Sequence, residues 1–164
     1  MKNKKSAIIF GVSGQDGAYL AHFLLTKGYE VIGTTRSKSV RNLYRLKKLN
    51  IINKVTIIKG VATNIKFCKK ILSPKINEVY YLAGESSITR SFEYPNFSLQ
   101  SNTFAIINIL QTIKTKNYKI KIFNAGSGQF YGDNKDNYYN LDSKIEPQSP
   151  YGVSKAAAYW LIKI

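Results

Sequence analysis

The stretch Ala7-Ile8-Ile9-Phe10-Gly11-Val12-Ser13-Gly14-Gln15-Asp16-Gly17 decides the fold of this 164-residue chain. Its apolar start predicts a buried strand, and the glycines that follow predict a tight turn. Apolar residues at helical spacing over Ala18–Lys27 then predict a helix that stops at Gly28. This order is typical of a dinucleotide-binding loop, in which N–H groups at the helix start receive a pyrophosphate. The spacing is G-x-x-G-x-x-G rather than G-x-G-x-x-G, so a turn without a ligand stays open as the alternative.

The rest of the chain repeats this alternation of strands and helices. Short runs rich in β-branched residues predict five strands: Ala7–Phe10, Glu30–Thr34, Val55–Lys59, Glu78–Leu82 and Lys121–Ala125. Longer helical patterns cover Asn96–Lys114 and, directly after Pro150, Tyr151–Ile164. Alternating strands and helices imply βαβ units with right-handed crossovers. We therefore expect an α/β fold, a Rossmann-like doubly wound parallel sheet with helices on both faces.

Length and composition limit the class of protein. The chain has room for one domain, and its 44% hydrophobic and 21% charged residues are typical of a soluble globular protein. No apolar run approaches the roughly 20 residues that cross a bilayer, so we expect no membrane partner. Cys68 is the single cysteine, which predicts the cytosol. With one histidine beside it, a Cys/His zinc site is excluded, and we predict no metal.

The net charge of +16 raises the question of a polyanionic partner. Residues 1–75 hold 16 basic and 2 acidic residues, whereas residues 76–164 hold 9 basic and 7 acidic ones. The basic half lacks zinc-ligand spacing, an RNA-binding aromatic signature and a long basic run. Its lysines are scattered as on a solvated surface, so we expect no specific nucleic-acid partner.

The second predicted strand carries the information on cofactor choice. Where NAD is used, an acidic residue about 20 positions beyond the loop binds the ribose 2′-hydroxyl. Here the strand ends Gly33-Thr34-Thr35-Arg36 and offers no acid. A guanidinium suits a 2′-phosphate, so Arg36 favours NADP over NAD. The alternative is that Arg36 is one more surface cation.

A tyrosine and a lysine near the end of the chain have the spacing of a proton-transfer pair. Tyr151 and Lys155 are four residues apart and lie on one helical face. A nearby ammonium lowers the pKa of tyrosine from about 10, which makes the phenolate accessible as a base. Ser127, just past the fifth strand, could hydrogen-bond the same substrate hydroxyl. The pair alone is a weak signal, but the glycine loop, the strand-end serine and the pair in this order are a much stronger one.

Five segments carry a resemblance to a known family. They are Gly11-Val12-Ser13-Gly14-Gln15-Asp16-Gly17, Leu82-Ala83-Gly84-Glu85-Ser86-Ser87, Ser91-Phe92-Glu93-Tyr94-Pro95, Asn124-Ala125-Gly126-Ser127-Gly128-Gln129-Phe130-Tyr131-Gly132 and Ser149-Pro150-Tyr151-Gly152-Val153-Ser154-Lys155-Ala156-Ala157-Ala158-Tyr159-Trp160. By these, the chain resembles the extended short-chain dehydrogenases/reductases and, within them, the GDP-mannose 4,6-dehydratase family. That resemblance implies conversion of GDP-mannose to GDP-4-keto-6-deoxymannose with NADP.

The resemblance also implies roles for individual residues. Tyr151 would remove the C4 hydroxyl proton, Lys155 would lower the pKa of the tyrosine, and Ser127 would bind the reacting oxygen. Ser86 would join Ser127 in binding substrate. The implied cofactor contacts are Gly11, Ser13, Gly14, Gln15, Asp16, Gly17, Arg36, Leu82, Ala83, Tyr151 and Lys155.

The sequence departs from the family pattern at three positions. Gln129 stands where the family has the glutamate that serves as elimination base, and a neutral amide cannot accept that proton. Glu85 stands where the family has glutamine, so one hypothesis is a charge exchange in which Glu85 supplies the missing carboxylate. Sequence drift is the equally supported alternative. Val61 replaces the family's adenine-binding acid, and its side chain cannot make that contact with the cofactor.

Further alternatives concern the extent of the chain. The resemblance spans only the N-terminal half of the family's architecture, and Ile164 lies within an apolar helical pattern. We therefore expect residues 1–164 to be an incomplete NADP-binding domain without the C-terminal substrate lobe. A nucleotide-sugar epimerase or reductase, which needs no elimination base, and a non-catalytic cofactor-binding remnant remain open. The family assembles through helices such as Asn96–Lys114 and Tyr151–Ile164, so we expect a homo-oligomer or pairing with a full-length homologue.

Overall fold

The computed structural model of the chain describes residues 4–132 and 138–164. The strands are β1 (Ser6–Phe10), β2 (Glu30–Thr35), β3 (Val55–Lys59), β4 (Glu78–Tyr81) and β5 (Lys121–Asn124). The α-helices are α1 (Gln15–Thr26), α2 (Tyr44–Lys48), α3 (Ile65–Ile71), α4 (Ile88–Glu93), α5 (Pro95–Leu99), α6 (Ala105–Thr115) and α7 (Pro150–Lys163). A π-helical segment, Gln100–Phe104, joins α5 to α6, and a 3₁₀ turn covers Gly128–Phe130.

These elements form two compact units. The sheet unit comprises Met1–Ala83 and Asn108–Ala125, and the helical unit comprises Gly84–Ile107 and Gly126–Ile164. In the part of the chain that is described, no helix is long and apolar enough to cross a membrane.

The sheet unit is built on five parallel strands in the order β3-β2-β1-β4-β5. The order reverses at β1, because β2 and β3 lie on one side of it and β4 and β5 on the other. Right-handed crossovers then place α1 and α2 on one face and α3 on the opposite face. The prediction of a doubly wound, Rossmann-like parallel sheet with helices on both faces is confirmed, and all five strands agree with their predicted bounds to within one residue.

The central strand explains why the sheet forms where it does. All five residues of β1 are buried, and Ile8, Ile9 and Phe10 are almost wholly excluded from solvent. Ile9 packs in one cluster with Ala21 and Leu24 of α1. Burying a large aliphatic side chain stabilises a fold by about 1.5–3 kcal/mol, so this short strand supplies much of the unit's stability.

The helical unit has an unusually polar interior. Ser91, Ser98, Asn102 and Ser154 are all fully or almost fully buried. The structure also differs from the single regular helix predicted over Asn96–Lys114, because the winding widens to a π-helix in the middle. Hydrophobic periodicity cannot reveal this change of winding. The change accompanies hydrogen bonds between polar side chains of the segment and other parts of the helical unit.

Helix α7 begins as its sequence predicts. Pro150 occupies the first turn, and the Oγ of Ser149 caps the helix by accepting a hydrogen bond from Gly152 N at 3.0 Å. Residues 133–142 form a polar stretch rich in asparagine and tyrosine, a composition that predicts a surface loop. Part of this stretch lies outside the described residues, which resume at Tyr138. Tyr138 and Leu141 are both strongly exposed, as expected for a surface loop.

Candidate functional site

The glycine loop after β1 presents free backbone donors at the start of α1. Gly14 is the N-cap of α1 and contributes no side-chain hydrogen bond to the first turn. A Cβ on Gly17 would collide with the carbonyl oxygen of Gly11, so this helix packs against its strand only with glycine there. Gly14, Gln15 and Asp16 are exposed. Uncapped N–H groups at the positive end of a 12-residue helix suit a pyrophosphate, and the loop therefore fits a dinucleotide.

Two other predicted cofactor residues lie beside this loop. The backbone N–H of Leu82 donates to Phe10 O at 3.0 Å and so extends the pairing of β4 with β1. Ala83 follows immediately, and its backbone N lies 3.0 Å from the position of a Cβ on Gly11. The sheet unit thus brings together Gly11–Gly17 and Leu82–Ala83 at the carboxyl ends of β1 and β4, where open α/β sheets bind ligands.

The segment after β2 is tied to the same loop by residues that the sequence reasoning missed. Asn42 Nδ2 donates to Ser13 Oγ at 3.2 Å and to Thr35 Oγ1 at 2.6 Å. Arg45 Nη1 donates to Ser13 O at 3.4 Å. Arg36 is exposed and precedes this segment. The sequence carries only a compositional sign that this segment serves a phosphate: no acidic residue occurs between Glu30 and Glu78.

In the helical unit, the predicted tyrosine and lysine lie side by side. Lys155 Nζ lies 5.8 Å from the centre of the Tyr151 ring. The lysine is only 6% exposed and the tyrosine 8%. Burial disfavours the charged ammonium and lowers the pKa of Lys155 from 10.5 to about 8. An ammonium so poised changes protonation state near physiological pH.

Ser127 and Gln129 lie on the short turn that precedes α7 in the chain. Ser127 is half-buried, and its Oγ accepts a hydrogen bond from Gln129 N at 3.2 Å. The carbonyl oxygen of Gln129 lies 2.5 Å from where a Cβ of Gly152 would be, so only glycine allows α7 to pack this closely. The side chain of Gln129 is exposed. The turn therefore holds the backbone of Gln129 next to Gly152, the residue that follows Tyr151, and ties Ser127 to Gln129.

Glu85 is engaged in a network of its own. Its Oε1 accepts hydrogen bonds from Ser86 N and Ser87 N, both at 3.0 Å, and its Oε2 pairs with Arg90 at 3.3 Å. The Glu85 side chain is only 9% exposed, whereas Ser86 is exposed. These contacts fasten the turn that leads into α4, and they give the carboxylate a structural use independent of proton transfer.

Two further predictions concern Val61 and metals. Val61 is 38% exposed and lies two residues beyond the end of β3, and its side chain offers no acceptor for an adenine amino group. Within residues 4–132 and 138–164, no group of three or more His, Cys, Asp or Glu side chains could hold a metal ion.

Comparison with known families decides the assignment. The model of the family described as GDP-mannose 4,6 dehydratase matches residues 8–164, nearly the whole chain. The chain belongs to the GDP-mannose 4,6-dehydratase family. This family assignment agrees with the resemblance found in the sequence motifs.

Individual relatives support the same family. GDP-mannose 4,6-dehydratase of Vibrio cholerae is 34% identical over 167 residues, which cover 97% of this chain and 45% of that protein. GDP-mannose 4,6 dehydratase of Cricetulus griseus is 32% identical over 170 residues, covering 98% of this chain and 46% of that protein. The chain thus spans slightly less than half the length of these family members.

Solved structures share the fold at lower sequence identity. The UDP-Glc/GlcNAc 4-epimerase of Campylobacter jejuni superposes with a TM-score of 0.86 at 17% identity, over 97% of this chain and 48% of that one. The dTDP-glucose 4,6-dehydratase of Streptomyces venezuelae, solved with NAD and TYD bound, gives 0.80 at 20% identity over 95% and 50% of the two chains. At this identity the likeness shows the fold alone.

Proposed function

We propose that residues 1–164 form an NADP-binding Rossmann-like domain of a GDP-mannose 4,6-dehydratase-type enzyme, a hydro-lyase acting on GDP-mannose or a related nucleotide sugar. The family match over residues 8–164 carries this proposal. A bound nicotinamide dinucleotide would supply reversible hydride transfer. The proposed cofactor contacts are Gly11, Ser13, Gly14, Gln15, Asp16, Gly17, Arg36, Leu82, Ala83, Tyr151 and Lys155.

The chain's own residues would handle the proton chemistry. Tyr151 would exchange a proton with the C4 hydroxyl of the sugar, and the Lys155 ammonium beside its ring would stabilise the phenolate. Ser127, held by the turn that contacts Gly152, would donate to or accept from the same hydroxyl. Ser86, exposed at the start of the turn before α4, is the further proposed substrate contact.

The preference for NADP over NAD rests on the segment after β2. Arg36, Arg41 and Arg45 are exposed cations, and Arg45 contacts the glycine loop itself. The absence of an acid from this segment removes the usual partner of an NAD ribose. A 2′-phosphate would instead meet guanidinium groups, which bind phosphate in a bidentate manner.

Thermal unfolding with each cofactor tests this proposal. Ligand binding to the folded state alone stabilises it by about 2.7 kcal/mol at 100 times the dissociation constant. We expect NADP to raise the unfolding midpoint more than NAD does. Arg36→Ala and Arg45→Ala are expected to weaken NADP binding at least about tenfold, because each removes a charge-assisted hydrogen bond.

The matched control for these variants is Lys75→Ala. Lys75 is an exposed cation of the same unit, but it precedes β4 and so lies at the amino ends of the strands. Its loss changes the net charge equally and should leave the NADP effect intact. A chain that unfolds cooperatively at the same temperature without cofactor, with NADP and with NAD would refute cofactor binding by these residues.

A second candidate function is favoured by Gln129. An epimerase or reductase of the same superfamily needs Ser127, Tyr151 and Lys155 but no elimination base, and an amide at position 129 is compatible with it. Product analysis separates the two, because elimination yields a 4-keto-6-deoxy sugar and water, whereas epimerisation yields an isomer of the substrate.

We also propose that the chain self-associates through the helical unit. The sheet unit holds 20 basic and 3 acidic residues, whereas the helical unit holds 5 basic and 6 acidic ones, so two sheet units repel each other. The helical unit exposes large apolar side chains: Phe92, Phe97, Phe104, Val153 and Trp160. Because the net charge of the helical unit is close to zero, a second copy that meets this surface avoids the repulsion and buries these side chains.

Sedimentation velocity tests the mode of association. We expect a dimer at both low and high salt in the unaltered chain, and a monomer when Phe97 is replaced by aspartate. Lys75→Asp, which changes an exposed residue of the sheet unit, should remain dimeric. A monomer under all conditions contradicts the proposal.

Because the free thiol of Cys68 is buried and the chain has no second cysteine, we propose the cytosol as its compartment.

A further inference from the structure

The π-helical segment Gln100–Phe104 directs three consecutive polar side chains at other parts of the helical unit. Ser101 Oγ accepts a hydrogen bond from Glu85 N at 3.0 Å, and Asn102 Nδ2 donates to Glu85 O at 3.1 Å. Thr103 Oγ1 donates to Ser154 O at 2.9 Å. Successive residues of an α-helix point about 100° apart, so a regular helix could not aim all three inward. The wider π turn makes this arrangement possible. Such turns are rare overall, and many of those that occur lie at functional sites.

Two residues of the segment, Asn102 and Thr103, also bond to Ser154, the residue directly before Lys155. Ser154 is fully buried, and its Oγ accepts a hydrogen bond from Asn102 Nδ2 at 3.1 Å while donating to Tyr151 O at 2.7 Å. Thr103 holds the backbone carbonyl of the same serine. The π segment therefore fastens the turn of α7 that carries both Tyr151 and Lys155.

The polar chemistry of this contact argues that it does more than fill space. Burying a hydroxyl or an amide costs free energy unless it is hydrogen-bonded, whereas an aliphatic side chain of the same shape fills the volume without a partner. Asn102 is 1% exposed, and its Oδ1 has no hydrogen-bond partner among the described residues, so the residue bears a cost that packing alone does not require. Directional bonds fix the rotation of α7, which apolar contacts leave less defined.

We propose that Asn102, Thr103 and Ser154 form a clamp that positions Lys155 beside Tyr151. All three are positioning residues, since they act through α7 and not on the substrate. The catalytic role of Tyr151 and Lys155 rests on the proposed function, whereas the clamp rests on the hydrogen bonds of Asn102, Thr103 and Ser154. Among the described residues, the charged or titratable side chains on or bordering the elements that pack against α7 are Arg90, Glu93 and Tyr94 at α4 and α5, Tyr131 after the 3₁₀ turn, and Glu85, which precedes α4 and pairs with Arg90. On α7 itself they are Tyr151, Tyr159 and Lys163.

Replacing Thr103 with valine tests the clamp, because valine keeps the shape of threonine and removes the donor to Ser154 O. The pKa of Lys155 is measured from the pH dependence of its acylation, with the modified peptide quantified by mass spectrometry. In the unaltered chain we expect a midpoint near pH 8. In Thr103→Val we expect the midpoint to rise by about one unit, because a loosened turn admits water to the ammonium.

Two further variants separate positioning from general stability. Thr112→Val is the matched control, since Thr112 is also fully buried and donates its Oγ1 to a backbone carbonyl, that of Asn108, at 2.7 Å. It should lower the unfolding temperature and leave the Lys155 midpoint unchanged. Thr103→Ser keeps the hydroxyl and should restore the midpoint found in the unaltered chain.

The proposal is overturned if Thr103→Val lowers the unfolding temperature but leaves the Lys155 midpoint at its original value. Should Thr103→Val not fold, Ser154→Ala serves instead, because it removes the central hydroxyl and keeps a strong helix former; an unchanged midpoint there is equally decisive. The measurement uses neither cofactor nor substrate. A chain that does not bind NADP therefore does not contradict the clamp, and an unchanged Lys155 midpoint in Thr103→Val does not contradict NADP binding.

Discussion

Replacing Lys155 with methionine is expected to stabilise the folded chain by about 3 kcal/mol at pH 7. Burial lowers the pKa of this lysine from 10.5 to about 8, so the fold holds a charge that the unfolded chain solvates better. Methionine has a similar length and no charge, and it removes this penalty.

The pH dependence gives this prediction its sign. Below pH 8, Lys155 is protonated in both states, and the folded state bears the full desolvation penalty. Between about pH 8 and 10.5 the unfolded state binds more protons, so the unaltered chain gains stability as the pH rises. Above 10.5 the lysine is neutral in both states and the penalty is gone. The advantage of Lys155→Met should therefore shrink steadily across this window.

Urea unfolding at several pH values measures the effect. The difference in unfolding free energy between the two chains should be largest at pH 7 and should approach zero near pH 10.5. Lys163→Met is the control, because Lys163 lies on the same helix but is exposed, and it should show no such trend. A constant difference between pH 7 and 10.5 would show that the pKa of Lys155 is not displaced.

A stabilising substitution at a buried lysine indicates why the lysine is there. A fold selected for stability alone would place an apolar residue at position 155, and a charge that costs free energy is retained where chemistry needs it. Its place beside the Tyr151 ring supports the proposed role, since a nearby ammonium stabilises the phenolate.

Local patterns account for what could be predicted from the sequence. The run from Ala7 to Gly17 encodes a strand, a turn and a helix start within 11 residues, and the four-residue spacing of Tyr151 and Lys155 places both on one face of α7. The doubly wound topology follows from alternation and crossover handedness, which are general properties of α/β chains.

Features that depend on distant partners could not be predicted. Asn102 bonds to residues 17 and 52 positions away, and these bonds accompany the change from α- to π-helix that periodicity does not show. Arg45 reaches Ser13 across 32 positions, so its approach to the glycine loop is a tertiary event. The contacts of the Glu85 carboxylate are local in sequence, with Ser86, Ser87 and Arg90, but they depend on side-chain geometry that the sequence does not show.

Replacing Gln129 with glutamate is expected to raise the rate of dehydration of GDP-mannose about 10²–10⁴-fold, the usual contribution of a positioned general base. The backbone of Gln129 is fixed by Ser127 Oγ and by its approach to Gly152, while its side chain is exposed. The substitution therefore adds a proton acceptor without disturbing the fold. The assay follows formation of a keto sugar from GDP-mannose in the presence of NADP.

Glu85→Gln is the companion variant that tests the charge-exchange hypothesis. Its carboxylate already accepts two backbone N–H groups and pairs with Arg90, and bonds to a charged group contribute about 1.5–3 kcal/mol. We therefore expect Glu85→Gln to lower the unfolding temperature and to leave the activity of Gln129→Glu unchanged where the double variant folds. Dehydration by the unaltered chain that disappears in a folded Glu85→Gln variant would instead identify Glu85 as the base.

Comparing the activities of the unaltered chain, Gln129→Glu, Glu85→Gln and the double variant separates the proposed functions. Activity that appears only with glutamate at position 129 places the elimination base there and makes the unaltered chain a cofactor-binding protein without elimination. If Gln129→Glu binds NADP and still forms no keto sugar, position 129 lacks the geometry of a base and the dehydratase proposal fails for these residues. A 4-epimer of the substrate formed by the unaltered chain would then favour the second candidate, because that reaction uses Ser127, Tyr151 and Lys155 without a carboxylate.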